Sequence, residues 1–229
     1  ESLRDAVERA PARAARLVAR LSPHLPASVV PIVCKPLASL VASKKRQNKA
    51  KAALALHAVA VLRNDARTIG DVCAETPQFY DHGLCSMMNT RTEDETAAVL
   101  LFSILACDPT PSFVARLGFA ALLPKVVEML HQKSTRSYAA LAIGNLALSA
   151  DNRVHEFVAG AKPLDSLLSQ CASEDVVVVV FALRSIAANG IASADEIVLP
   201  LSKLLMTSED REVARHAGRA LRSLIARGM

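Results

Sequence analysis

His82 and Cys85 stand three positions apart in "DHGLC" (residues 81–85), a spacing at which two side chains of one helical turn can share a metal ion. No second His or Cys pair lies nearby, so the pair reads as an ordinary histidine beside a buried thiol, and no metal or cofactor is expected. The motifs G-x-S-x-G and H-E-x-x-H and a Gly-rich phosphate loop are missing from the sequence, so no catalytic residues are expected either. What the chain offers is anion chemistry in two places. "SKKRQNKAK" (43–51) carries Lys44, Lys45, Arg46, Lys49 and Lys51 just ahead of an apolar helix, where positive charge opposes the helix dipole. Helix stability does not explain that run. A site for an external anion, a nuclear localisation signal and a plain solvated loop all remain open for it. "DREVARHAGRALRSLIARG" (210–228) sets Arg211, Arg215, Arg219 and Arg222 at helical spacing. That stripe is either the polar outer face of a terminal repeat or a site for an acidic partner. Neither cluster is interleaved with the aromatic residues that stack bases, which disfavours nucleic acid.

A third chemistry sits in "SYAALAIGNLALS" (137–149), where Gly144 and Asn145 interrupt an apolar helix. Glycine costs about 1 kcal/mol against alanine in a helix interior, and asparagine is also unfavourable. Helix stability therefore does not explain the pair.

The elements that position these residues are helices. The 229-residue chain is 52% hydrophobic and only 3% aromatic, with few glycines and almost no strand alternation. The exception, "DVVVVVFAL" (175–183), follows Ser173, Glu174 and Asp175, which favour a helix start, and continues with helical spacing, so it is expected to be helical. The net charge of +5 permits acidic partners or anionic lipid without requiring either. Five scattered cysteines without C-x-x-C suit reduced thiols in an intracellular, cytoplasmic setting, which includes the cytosolic face of an organelle membrane. No run reaches the length of a membrane span. The chain opens on Glu1 without Met, so the native N-terminus, with any anchor, is expected upstream.

Repeats organise the rest. Five segments beginning at Pro36, Gly83, Pro124, Pro163 and Pro200 each precede a second, more apolar helix. In those second helices the equivalent positions are Ala58, Ile104, Asn145, Ser185 and Ser223, separated by 46, 41, 40 and 38 residues. The distance from each Pro or Gly to its aligned position is 22, 21, 21, 22 and 23 residues, so two anchors keep step along the chain. Each Pro is expected to open its helix at the first turn. The following helix is apolar on more than one face because it packs against its own repeat and both neighbours.

"RLGFAALLPKVVEML", "STRSYAALAIGNLAL" and "NRVHEFVAGAKPLDSLL", with their Gly118 and Gly160 turns, resemble the armadillo repeats. The likeness runs over about residues 27–229 and is best at 109–188; residues 1–26 resemble a degenerate N-terminal cap. The resemblance implies an all-α, right-handed superhelical solenoid of about five repeats in one continuous domain. It also implies a non-enzymatic scaffold whose third helices line a partner-binding groove. In the peptide-clamping members an Asn recurs along that groove, with a Trp four residues before it. Here the Asn slots hold Ala58, Ile104, Asn145, Ser185 and Ser223, and the Trp slots hold Leu54, Leu100, Leu141, Phe181 and Arg219. A single Asn and no Trp, in a basic chain, do not suit a lysine-rich peptide. The expected groove is apolar at Leu54, Leu100 and Ile104 and polar or basic at Ser185, Arg219 and Ser223, fitting a helical or extended protein segment with one acidic end. Two alternatives are a membrane-surface adaptor docking through its basic patches and an acylated N-terminus, and a regulatory domain of a larger protein. Size and repeat content also resemble the armadillo-repeats-only proteins that tether secretory organelles in parasitic protists.

Overall fold

The computed structural model describes residues 10–43, 48–90, 92–119, 122–171 and 176–226. Among them every regular element is helical. The chain forms two compact units, residues 1–122 and 123–229.

The first unit begins with α1 (Pro11–Leu21), which has a Pro in its first turn, and α2 (Val30–Ala42). Arg63 ties the turn between them to the rest of the unit: its Nη1 donates to the carbonyls of Ser22 and Leu25, each at 2.7 Å. Next comes α3 (Lys49–Arg63), bounded by Asn48 and Asn64 in the left-handed conformation at φ 69° and 50°. Asparagine tolerates that region better than other side chains, so the helix ends where the sequence allows. Then α4 (Ala66–Glu75) starts on Asp65, whose carboxylate accepts from the Thr68 N–H at 3.0 Å. A wide turn of π type, Phe79–Leu84, leads into α5 (Cys85–Met88). Three acidic residues open α6 (Glu93–Leu105), where negative charge suits the dipole, and α7 (Pro111–Phe119) completes the described helices of this unit.

Helix α3 packs between α1 and α6, with α2 and α4 behind it, and the π turn packs on α2. An aromatic chain runs through this core: Phe79 to Tyr80 at 5.2 Å between ring centroids, Tyr80 to Phe113 at 5.6 Å, Phe113 to Phe102 at 5.5 Å.

The second unit contains α8 (Leu122–Met129) from its second residue onward, α9 (Arg136–Ala147), α10 (Asn152–Gly160), α11 (Pro163–Ser169), α12 (Val176–Ala188), α13 (Ala194–Thr207) and α14 (Arg211–Ala226). Here α12 packs between α9 and α14, and α13 covers α14. The valine-rich run is helix from Val176, while Ser173, Glu174 and Asp175, the expected helix start, lie outside the described residues; burial among neighbouring helices outweighs the modest helix penalty of β-branched residues.

The Pro anchors behave in two ways. Pro163 opens α11, but Pro36 and Pro200 lie inside α2 and α13. Both of those helices start earlier than expected, α13 because Glu196 reaches back to accept from the Ser193 N–H at 3.3 Å. A mid-helix Pro frees the carbonyl four residues back; those residues, Ile32 and Glu196, are exposed, so water can take the lost bond. The Gly118 and Gly160 turns also shift. Both glycines remain within their helices, and it is Lys162 that takes the left-handed conformation, at φ 50°.

Candidate functional site

In the first unit the third helices leave narrow open rows. From Glu95 to Leu105 every residue of α6 is buried except Thr96, Leu100 and Ile104, which recur every fourth position and so lie on one face. On α3 the corresponding face carries Lys51, Leu54, Ala58, Val61 and Leu62, with Leu54 43% and Leu62 54% exposed. The predicted apolar strip Leu54–Leu100–Ile104 is therefore brought to adjacent helices. Val61 and Leu62 extend it. Their signal in the sequence is that they repeat the Leu54 face two turns further along α3. On α1, Leu17 and Leu21 are exposed beside Arg13, Arg16 and Arg20.

The basic run divides. Lys44, Lys45 and Arg46 lie outside the described residues, and Lys51 is exposed. Lys49 does not belong to a solvent-facing patch: it is only 3% exposed. Burial pushes its amine below the usual lysine range, an effect that Asp94 in the first turn of α6 partly offsets. The charge that seemed to oppose the dipole of α3 answers a carboxylate of the neighbouring helix. His82 is exposed in the π turn and Cys85 is half-buried at the start of α5, and no cluster of three metal-ligating side chains occurs among the described residues.

The second unit resolves the Gly–Asn pair. A Cβ placed on Gly144 would lie 2.5 Å from Cε1 and 2.8 Å from Cδ1 of Phe181, and 3.2 Å from Cα of Ala182. Gly144 is thus a seat for the Phe181 ring that lets α9 and α12 close together. Leu141 and Asn145 sit half-buried on the open face of α9, but the Asn145 amide is not free, so a ligand would have to share it. Ser185 does not line an open groove: it is buried between helices and its hydroxyl donates to the Phe181 carbonyl at 3.0 Å. Ser223 is half-buried, and its hydroxyl is similarly committed to the Arg219 carbonyl at 3.0 Å.

Arg211, Arg215, Arg219 and Arg222 are all exposed on α14. A residue outside the aligned slots joins them: Arg184, half-buried on α12. The link between them is His216. Its imidazole is held below the ordinary histidine range, first by burial and then by the charges of Arg215 and Arg184, with Arg219 adding a smaller share and Glu212 opposing. Glu212 pairs with Arg215 and lies 3.8 Å from His216 Nε2. The Nδ1 atom of His216 is buried without a hydrogen-bond partner among the described residues.

No known family profile matches the chain, and no curated protein matches it in sequence. Solved structures do match in fold. An engineered protein superposes with a TM-score of 0.79 at 22% identity, over 98% of this chain and 95% of its own. A designed armadillo repeat protein gives 0.75 at 21% identity, over 97% of this chain and 100% of that one. Another, solved in complex with the peptide (KR)4, gives 0.77 at 19% identity, over 98% and 100%. The protein has the armadillo repeat fold, an all-helical array of repeats, and at these identities the likeness is one of fold. No described helix is long and apolar enough to cross a membrane.

Proposed function

We propose that the protein is a non-enzymatic scaffold that takes partner proteins along the open rows of its third helices. The observation that carries this reading is the row Leu54, Leu100 and Ile104, apolar and accessible on two packed helices whose other faces are buried. A core has no use for leucines left in water, whereas a partner segment gains by covering them. The designed armadillo repeat protein that holds (KR)4 supports the fold as a peptide binder. The partner here differs, because an apolar strip and arginines replace what a basic peptide needs. Selection of peptides from a displayed library on wild-type protein, repeated on Leu54→Glu/Leu100→Glu, tests the reading. Loss of the selected binders with an unchanged melting temperature is expected. Equal enrichment on the variant would overturn it.

One observation favours a second reading, docking on an anionic membrane in an organelle-positioning role. Helix α1 exposes Leu17 and Leu21 beside Arg13, Arg16 and Arg20, a basic amphipathic face. Flotation with phosphatidylserine vesicles that is lost in Arg16→Glu/Arg20→Glu would select it over peptide binding alone; wild-type protein that stays with neutral and anionic vesicles equally would remove it.

A further inference from the structure

We propose that Arg184, Arg215 and Arg219, on the adjacent helices α12 and α14, form a docking site for an acidic peptide segment bearing successive Asp or Glu side chains. This rests on the scaffold reading and assigns its second unit a partner chemistry of its own. Three observations carry it. First, the arginines are not there for helix stability. Arg211, Arg215 and Arg219 follow one another at four-residue spacing, and like charges so placed weaken a helix. Second, they are under-neutralised. Glu212 answers Arg215, while among the described residues no carboxylate lies within ion-pair distance of Arg184 or Arg219. Third, a solubilising terminal face does not account for the set, since Arg184 belongs to α12, which is packed between α9 and α14.

The chemistry favours carboxylates on a peptide. Guanidinium forks pair with carboxylates in bidentate fashion, and two helices that present them side by side suit acids spaced along an extended or helical segment. Ser185 and Ser223 have given their hydroxyls to their own helices, so charge dominates what the face offers. Bases would find no aromatic platform on α14, which carries no Phe, Tyr or Trp. A flat headgroup layer would meet the protruding Arg211 and Arg222 before the half-buried Arg184, whereas a side chain can reach it.

Fluorescence anisotropy with a labelled Glu/Asp-rich peptide tests this, alongside a Lys-rich peptide of equal length. The variants are Arg184→Glu/Arg219→Glu, the milder Arg184→Gln/Arg219→Gln in case charge reversal unfolds the unit, and Lys35→Glu/Arg67→Glu, two exposed cations of the first unit outside any proposed site, as a control of equal charge change. The expected result is selective binding of the acidic peptide that weakens with salt, falls about tenfold or more in both α12/α14 variants, and changes little in the control. Docked carboxylates should also raise the titration midpoint of His216, read by NMR, because an added anion favours the imidazolium. Equal loss in variant and control would reduce the effect to net charge and overturn the site, as would absence of binding. Tighter, Arg184-dependent binding to single-stranded RNA or to anionic vesicles would overturn the peptide assignment. If this site fails while binding that depends on Leu54 and Leu100 persists, the scaffold reading stands and the acidic site does not.

Discussion

The row α1–α3–α6 of the first unit and the row α9–α12–α14 of the second are built by one rule and finished differently. In both, the central helix is covered on most faces, and what stays open recurs every three or four residues. In the first row the close approach is made by alanines, Ala52, Ala53, Ala55 and Ala60 on α3, and the open faces of α3 and α6 are mainly aliphatic, with Leu54, Val61, Leu62, Leu100 and Ile104. In the second row the approach is made by Gly144 receiving Phe181, and the open positions end in arginines. The core constrains the buried positions strongly and the open row hardly at all, so repeats of one fold can diverge in what they recognise without disturbing how they pack.

The largest expected effect breaks the second row at its seat. On helix propensity alone, Gly144→Ala should stabilise α9 by about 1 kcal/mol. The Phe181 ring and the Ala182 backbone oppose it, and overpacking of this kind costs roughly 1–3 kcal/mol, so urea unfolding should show net destabilisation. Phe181→Leu in the same chain should recover part of the loss, giving a coupling of about 0.5 kcal/mol or more. Additive losses would mean that the two residues do not share this space.

A smaller effect sharpens the contrast in electrostatics. His57 on α3 is held below the ordinary histidine range by burial, whereas His216 is lowered by burial and by the arginines around it. A depressed histidine takes up a proton more readily when unfolded. Each therefore supports the folded state above the unfolded value of about 6.5, and that support is lost as pH falls through this value toward the folded one. NMR titration in added salt should move His216 back toward about 6.5 while His57 stays, because salt screens exposed charges and not desolvation. Equal movement of both would remove the arginine field from the account.

The smallest effect concerns thiols and leaves stability untouched. Burial pushes Cys34 up to about 12 and Cys73 well above the usual thiol range, so maleimide should label exposed Cys107 first and reach these two only on unfolding. Labelling of Cys34 at the rate of Cys107 would show that the core of the first unit opens more readily than its packing implies.

Several particulars are legible in the residues and their spacing. The period of Ala58, Ile104, Asn145, Ser185 and Ser223 locates the third helices, because a repeat that buries its faces against copies of itself must keep its period. The apolar strip is legible because Leu54, Leu100 and Ile104 share that register. Other expectations fail for reasons outside any single helix. Pro36 and Pro200 carry the signal of helix starts, yet exposed carbonyls four residues back let the helices begin earlier. Lys49 looks solvated in the sequence because Asp94, whose charge acts on it, is more than forty residues away in the chain. Ser185 looks open because its slot is open in other repeats, and Arg184 gives no signal because its slot is not the aligned one.

Composition, period and local capping are properties of the chain, and they determined the helical class, the repeat order and the register of the third helices. Which side of each helix stays in contact with water is a property of its neighbours, and the tertiary structure alone decided it. Azimuth around a helix axis follows from residue number. Coverage at that azimuth follows from what packs there, and so Lys49 and Ser185 are closed while Arg184 stays half-open.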